Sequence, residues 1–111
     1  MPLGKVQPEE EQERTLRITI HESPETLRLQ IEGRVTGPWV SEFNRTWQAL
    51  APTIDSRKFV VDLCGVIHMD ADARRLLSEI YKQTGAELLA DSPMTQYFAD
   101  EARQQKNSKE E

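Results

Sequence analysis

The feature that most constrains the fold is a stretch with three consecutive patterns: a buried strand, a short polar segment and the start of an amphipathic helix. It covers residues 60–77, with the sequence VVDLCGVIHMDADARRLL. The residues that open it form a nearly unbroken apolar run, typical of a strand covered on both faces: Phe59, Val60, Val61 and Leu63. Because Gly65 then frees the backbone to turn, we expect a loop over residues 64–69.

A helix is predicted to follow this loop. Asp70 is suited to cap its first turn, and Gly85 suits the left-handed cap at its end. Between the two caps, apolar residues recur at the three- and four-residue spacing of one helical face: Ala73, Leu76, Leu77, Ile80 and Tyr81. The pattern predicts a helix over about residues 71–84.

The N-terminal part of the domain alternates apolar and polar residues with the period of a strand. Leu16, Ile18 and Ile20 mark one strand, and Leu27, Leu29 and Ile31 mark the next. Ser23 and Pro24 lie between them and favour a turn. We expect an antiparallel pair, each strand with one solvated face, at the margin of the sheet.

Two further helices and one short strand complete the predicted elements. Gly37 and Pro38 open a helix that ends at Pro52, with a buried stripe of Trp39, Val40, Phe43, Trp47 and Leu50. Residues 86–90 predict a short strand, and a last helix begins at Pro93 with Met94, Tyr97, Phe98 and Ala102 as its apolar residues.

The order β-β-α-β-α-β-α predicts an α/β fold with a four-stranded mixed sheet, in which the N-terminal pair is antiparallel and the later strands are parallel, packed with three main helices. A chain of 111 residues makes one such domain, expected over residues 15–103. Residues 1–14 and 104–111 are polar, and we expect a flexible leader and a solvated tail.

Charge and composition narrow the classes of function. A formal net charge of −5 disfavours nucleic acid and anionic lipid as general partners. No apolar run approaches the roughly 20 residues needed to cross a bilayer, and the N-terminus lacks the apolar core of a secretory signal. The single cysteine, Cys64, suits a reducing compartment. We expect a cytoplasmic protein whose partner is another protein.

Chemistry by the chain itself is not expected. Cys64, His68 and Asp70 could be imagined as nucleophile, base and orienting acid, but three residues so close in one loop seldom converge on one point. Cys64 and His68 give only two good metal ligands, with His21 far away in sequence. We expect no enzyme activity, no metal and no cofactor.

The pattern D-L-x-G-V-x-x-x-D-x-x-x-x-x-L-L, from Asp62 to Leu77, resembles the STAS domain of bacterial anti-sigma-factor antagonists. In that family a serine just after the capping aspartate is phosphorylated by a partner kinase. Asp72 stands at that position here, and Ala73 replaces the glycine that follows. The resemblance covers about residues 16–103 and lacks the strand and closing helix with which many members continue.

The resemblance implies a kinase-like anti-sigma factor, or a related signalling protein, as the partner. It would dock on the loop over residues 64–69 and on the start of the helix after Asp70. The residues expected to meet it are Asp70, Ala71, Asp72, Ala73, Arg74, Arg75, Ser78 and Glu79. Two have structural explanations as well, since Asp70 suits a helix cap and Asp72 is favoured by the helix dipole.

Two other functions remain open at this point. STAS-like domains also serve as accessory subunits of membrane transporters, where such a protein would bind the ATPase. A small-ligand sensor is a third possibility, without the support of a glycine-rich phosphate loop. Since the strand over residues 86–90 lacks its usual neighbour, that edge could pair across a two-fold axis or be covered by the helix from Pro93, and we expect a weak homodimer near it.

Overall fold

The structure, a computed structural model, describes residues 16–110, with side chains described as far as Gln104. The leader predicted over residues 1–14 therefore lies outside the described residues. The elements, in chain order, are β1 (Leu16–Glu22), β2 (Thr26–Val35), α1 (Pro38–Leu50), a 3-10 turn (Ala51–Thr53), β3 (Lys58–Met69), α2 (Ala71–Thr84), β4 (Glu87–Leu89) and α3 (Pro93–Glu110).

The four strands form one sheet in the order β1-β2-β3-β4. β1 and β2 are antiparallel, whereas β2 with β3 and β3 with β4 are parallel. The predicted α/β fold, a four-stranded mixed sheet with three main helices, is confirmed. None of the helices described here is both long and apolar enough to cross a membrane.

The core lies between the helices and one face of the sheet. Its strand residues include Leu29 of β2, which the alternation predicts, and Val61 of β3, which the apolar run predicts. Ile20 of β1, an apolar residue of the alternating pattern, is 43% exposed instead. Trp47 of α1 stacks on Phe59 with ring centroids 5.7 Å apart. Six residues from the predicted stripe of α1, the apolar run of β3 and the apolar face of α2 all belong to this core: Phe43, Trp47, Val61, Leu63, Leu77 and Ile80.

The predicted loop over residues 64–69 is wrong, because β3 continues through it to Met69. The register against β2 shifts twice, so β3 accommodates its extra residues as irregularities in the ladder instead of leaving the sheet. Gly65 lies opposite Glu32, and a Cβ at Gly65 would come within 2.6 Å of Glu32 Cγ. Glycine is therefore required here by the close approach of β2, not by a turn.

The C-terminal elements differ in length from the prediction. β4 is limited to three residues, and α3 continues to Glu110 through the segment expected to be a tail. α3 begins with reciprocal hydrogen bonds: the Ser92 amide donates to Thr95 Oγ1, and the Thr95 amide donates to Ser92 Oγ, at 3.0 and 3.1 Å. These contacts satisfy amides that have no partner within the helix.

Candidate functional site

The start of α2 is held by one carboxylate. Asp70 Oδ1 accepts a hydrogen bond from the amide of Ala73 at 3.0 Å, as expected of a helix N-cap. Its other oxygen, Oδ2, accepts a hydrogen bond from the amide of Gly37, the residue before α1, at 2.9 Å. Asp70 therefore fixes the first turns of two helices relative to each other.

These hydrogen bonds also decide the charge of Asp70. Partial burial by itself would raise the pKa of this carboxyl. The amides of Gly37, Ala73 and Asp72 outweigh that effect and, with the nearby His68, hold the pKa of Asp70 below its usual value. The cap is consequently a carboxylate at neutral pH, with a negative charge at the positive end of the α2 dipole.

The most accessible residues of the predicted site lie in the first turn of α2. Asp72 and Arg75 form an ion pair of 2.9 Å, and about 70% of each side chain is exposed (71% and 69%). Beside them is a shallow groove between α1 and α2, lined by Val40, Ser41, Asn44, Asp72, Arg75, Leu76 and Glu79. The groove adds α1 residues to the surface, which helix periodicity in α2 alone did not indicate.

The sequence predicts that Arg74 is free to meet a partner, but in the structure its side chain contacts other parts of the fold. Its Nη1 donates a hydrogen bond to the carbonyl of Met69 at 3.0 Å, and its Nε lies 2.9 Å from Glu101 Oε1 of α3. The second contact is an ion pair without a well-aligned hydrogen bond. Since both side chains are at least two-thirds buried, Arg74 joins α2 to α3 and presents little surface to a partner.

Two other predicted contact residues are buried. Ala73 is fully buried and Ser78 is 5% exposed, so the prediction that they are available to a partner is wrong. Ser78 lies off the apolar stripe of α2, but α3 packs on that side of the helix and covers it. The accessible part of the predicted set is therefore Ala71, Asp72, Arg75 and Glu79.

A second cluster, which sequence reasoning missed, lies on β2 and β3. Arg28 Nη1 is 2.7 Å from Asp62 Oδ2, and the amide of Cys64 donates to Asp62 Oδ1 at 3.0 Å. Asp62 is only 6% exposed. An acid within an otherwise apolar strand is the signal that could have revealed the cluster, because a buried carboxylate requires a partner.

The cluster determines the protonation of two groups. Burial would raise the pKa of Asp62, but the amide and thiol of Cys64 and the guanidinium of Arg28 lower it below its usual value. The thiol donates to Asp62, and this hydrogen bond, with burial and the adjacent negative charge, raises the pKa of Cys64 to about 11. Cys64 is thus a protonated thiol at neutral pH, a poor nucleophile.

The residues considered for catalysis are directed to different partners. Cys64 contacts Asp62, whereas His68 packs edge-on against Phe98 with ring centroids 6.2 Å apart. Within residues 16–104, whose side chains are described, no group of three His, Cys, Asp or Glu side chains is arranged to hold a metal ion.

No protein-family model matches the sequence, and no curated protein sequence matches it. Among solved structures, the chain is similar to one described as "Crystal Structure Analysis of Mglu", with 20% sequence identity and a TM-score of 0.55. The match covers 71% of this chain and 20% of that chain, so this chain corresponds to about a fifth of the Mglu chain. At this identity the likeness supports the fold alone.

Proposed function

We propose that this protein is a non-enzymatic regulatory module of the cytoplasm that binds another protein through the start of α2, in the manner of STAS-type anti-sigma-factor antagonists. The observation that carries the proposal is the first turn of α2, where Asp72 and Arg75 are exposed while Asp70 anchors the backbone beneath them. A surface fixed in this way loses little conformational entropy when a partner binds.

The surface has the composition of a protein-binding site. The groove between α1 and α2 has apolar side chains, Val40 and Leu76, flanked by the charges of Asp72, Arg75 and Glu79. Charged groups at the rim of an interface contribute mainly to specificity and association rate. The proposed partner is a kinase-like anti-sigma factor, which would place an apolar side chain between these charges.

Asp72, at the position that is phosphorylated in the resembled family, supports a mode of regulation different from that of the family. Residues 71–73 are Ala, Asp and Ala, so the first turn of α2 contains no hydroxyl for a kinase to modify. Asp72 places one permanent negative charge there, where phosphate would place about two. In the resembled family the phosphorylated form typically releases its partner. The module would therefore stay in one state that resembles this form in charge, would bind more weakly than a variant with serine at position 72, and would not be switched by its partner.

The experiment measures binding to a purified kinase-like anti-sigma factor from the same genome by titration calorimetry. Asp72→Ser should tighten binding by about two- to fivefold, the size of one surface charge interaction. Asp100→Ser is a matched control, because Asp100 is also exposed and pairs with an arginine three residues later, Arg103. This control should bind like the original protein.

Intact mass after incubation with this partner and ATP gives an independent readout. The original chain should gain no phosphate at residues 70–73, whereas Asp72→Ser should become a substrate. Absence of binding, or equal effects of the Asp72 and Asp100 substitutions, would contradict the proposed site. Phosphate on Ser41, Ser56 or Ser92 of the original chain would place the switch elsewhere.

A further inference from the structure

Within residues 16–110, β1 is an edge strand of the sheet. Among residues 16–110 it pairs only with β2, through an uninterrupted register from Leu16 to Glu22. Alternate residues of an edge strand direct their N–H and C=O groups away from the sheet. Natural edges are usually blocked by proline, lysine or a bulge, and β1 contains none of them.

A groove lined by both apolar and polar side chains accompanies this edge. Ile18 and Ile20 of β1 line it together with Trp39, Glu42 and Thr46 of α1 and the edge of Leu16. Ile20 is 43% exposed, one of the few large apolar residues with such exposure in the described part of the chain. A strand added beside β1 would cover these side chains as it satisfies the backbone.

The opposite edge is less suited to pairing. β4 has three residues, and its Leu88 carbonyl accepts a hydrogen bond from Arg103 Nη2 of α3 at 3.3 Å. A helix side chain thus occupies part of the edge at which the sequence predicts a homodimer. Self-association is therefore better suited to β1, which offers seven residues.

We propose that β1 pairs antiparallel with β1 of a second copy, about a two-fold axis through Thr19. About this residue Ile18 mirrors Ile20 and Arg17 mirrors His21, whereas Leu16 mirrors Glu22. Ile18 of each copy would face Ile20 of the other beside Trp39, and the two Thr19 residues would face each other. If the buried faces of the two β1 strands lie on the same side of the joined sheet, the register between them can change only in steps of two residues. The register centred on Thr19 pairs all seven residues of each strand.

Charge supports a second copy as the occupant. β1 carries Arg17 and Glu22, whose formal charges cancel, although the whole chain carries −5. Glu22 is already paired within its own copy, 2.9 Å from Arg57, and Arg17 lies opposite Glu32 in the register of β1 and β2. In the proposed pairing Arg17 faces His21 and Glu22 faces Leu16, so no two acids are directly opposed along the edge.

The dimer should be weak. A seven-residue strand pair with two flanking isoleucines falls at the small end of specific interfaces, below about 1,200 Å². We expect a dissociation constant in the range of about 10 μM to 1 mM, measured by sedimentation equilibrium on the full chain. The inference does not depend on the proposed function, because the start of α2 is not part of this edge.

Two substitutions test the surface. Ile20→Lys places a charge in the groove and should weaken dimerisation at least about tenfold. Ile67→Lys is the matched control, because Ile67 is 53% exposed in β3 and should leave dimerisation unchanged. Circular dichroism and thermal melting of both variants would show that each retains the fold.

Cross-linking tests the register. In a Cys64→Ser background, Thr19→Cys should form an intermolecular disulfide under mild oxidation, because residues on the axis approach within disulfide distance. Arg17→Cys should not, since the two residues at position 17 would be about 13 Å apart along the strands. A strict monomer at about 1 mM, equal cross-linking at both positions, or a dimer insensitive to Ile20→Lys would overturn the proposal. So would dimerisation only after removal of residues 1–13, which would identify the preceding segment as the occupant.

Discussion

The carboxylate of Asp70 accepts a hydrogen bond from the amide of Gly37, 33 residues earlier in the chain, at 2.9 Å. The same carboxylate caps α2 through the amide of Ala73. Two elements that are distant in sequence, the start of α1 and the start of α2, therefore share one acceptor. The proposed binding surface lies between these two helices, so its geometry depends on this side chain.

Replacing Asp70 should cost stability beyond that of a simple cap. Asp70→Ala should lower the free energy of unfolding by about 1–3 kcal/mol, because the amides of Gly37 and Ala73 both lose their acceptor. Asp72→Ala is the matched control in the same turn, and its exposed carboxylate should contribute less than about 0.5 kcal/mol. Urea denaturation of both variants measures the difference, and equal losses would contradict the assignment.

Stability should fall in acid through two carboxylates. The pKa values of Asp62 and Asp70 are both lowered in the folded protein from the ordinary value of 3.8. The unfolded chain therefore binds more protons in acid, so their contribution is complete above that pH and is lost as the pH falls through the folded values. Asp70→Asn should flatten the dependence of unfolding free energy on pH below 3.8. An unchanged acid slope would show that Asp70 is not linked to folding.

Substitutions at two neighbouring leucines, Leu77 and Leu76, test which face of α2 is buried. Leu77 is fully buried, so Leu77→Ala should cost about 2–5 kcal/mol through lost burial and an unfilled cavity. Leu76 is half-buried at the groove with α1, and Leu76→Ala should cost clearly less. Chemical denaturation compares the two variants. A loss for Leu77→Ala below about 1 kcal/mol would show that the inner face is wrongly assigned.

Gly65 should be intolerant of any side chain. Gly65→Ala brings a Cβ to within 2.6 Å of Glu32 Cγ and should destabilise the protein by about 1–3 kcal/mol. Glu32→Ala removes that Cγ, so the same Gly65→Ala change should cost less in the double variant. A double-mutant cycle measured by thermal unfolding gives this coupling. Additive effects would mean that the cost of Gly65→Ala does not come from the Glu32 side chain.

The thiol of Cys64 should react slowly. With a pKa of about 11, about one molecule in a thousand carries a thiolate at pH 8. Iodoacetamide should modify the folded protein at least about tenfold more slowly than the same chain in urea. Asp62→Asn removes the charge that opposes ionisation and should accelerate modification. Equal rates in the folded and unfolded chain would show that the contact with Asp62 does not protect the thiol.

Local sequence determined most of the fold. The period-two alternation predicted β1 and β2, and the three- and four-residue spacing predicted α2, with Asp70 and Gly85 as its caps. These patterns suffice because each element buries one face, so burial imposes the period on the residues themselves. The same reasoning predicted that Asp72 lies in the first turn of α2.

Tertiary contacts decided what the patterns did not contain. Gly65 has the residue type of a turn, yet it lies in β3 because Glu32 of β2 occupies the space that a side chain would need. Arg74 and Ser78 lie off the apolar stripe of α2, yet α3 packs over that side and removes both from the proposed surface.

The contacts of two carboxylates, those of Asp70 and Asp62, were also decided by the tertiary structure. Asp70 reaches Gly37, and Asp62 meets Arg28, across more than 30 residues in each case. Sequence by itself determined which residues could cap, turn or lie in the core, since those preferences act over one or two turns of chain. Only the packed sheet and helices decided which polar groups share a partner, because hydrogen bonds between distant segments follow from their placement in space and not from their spacing in sequence.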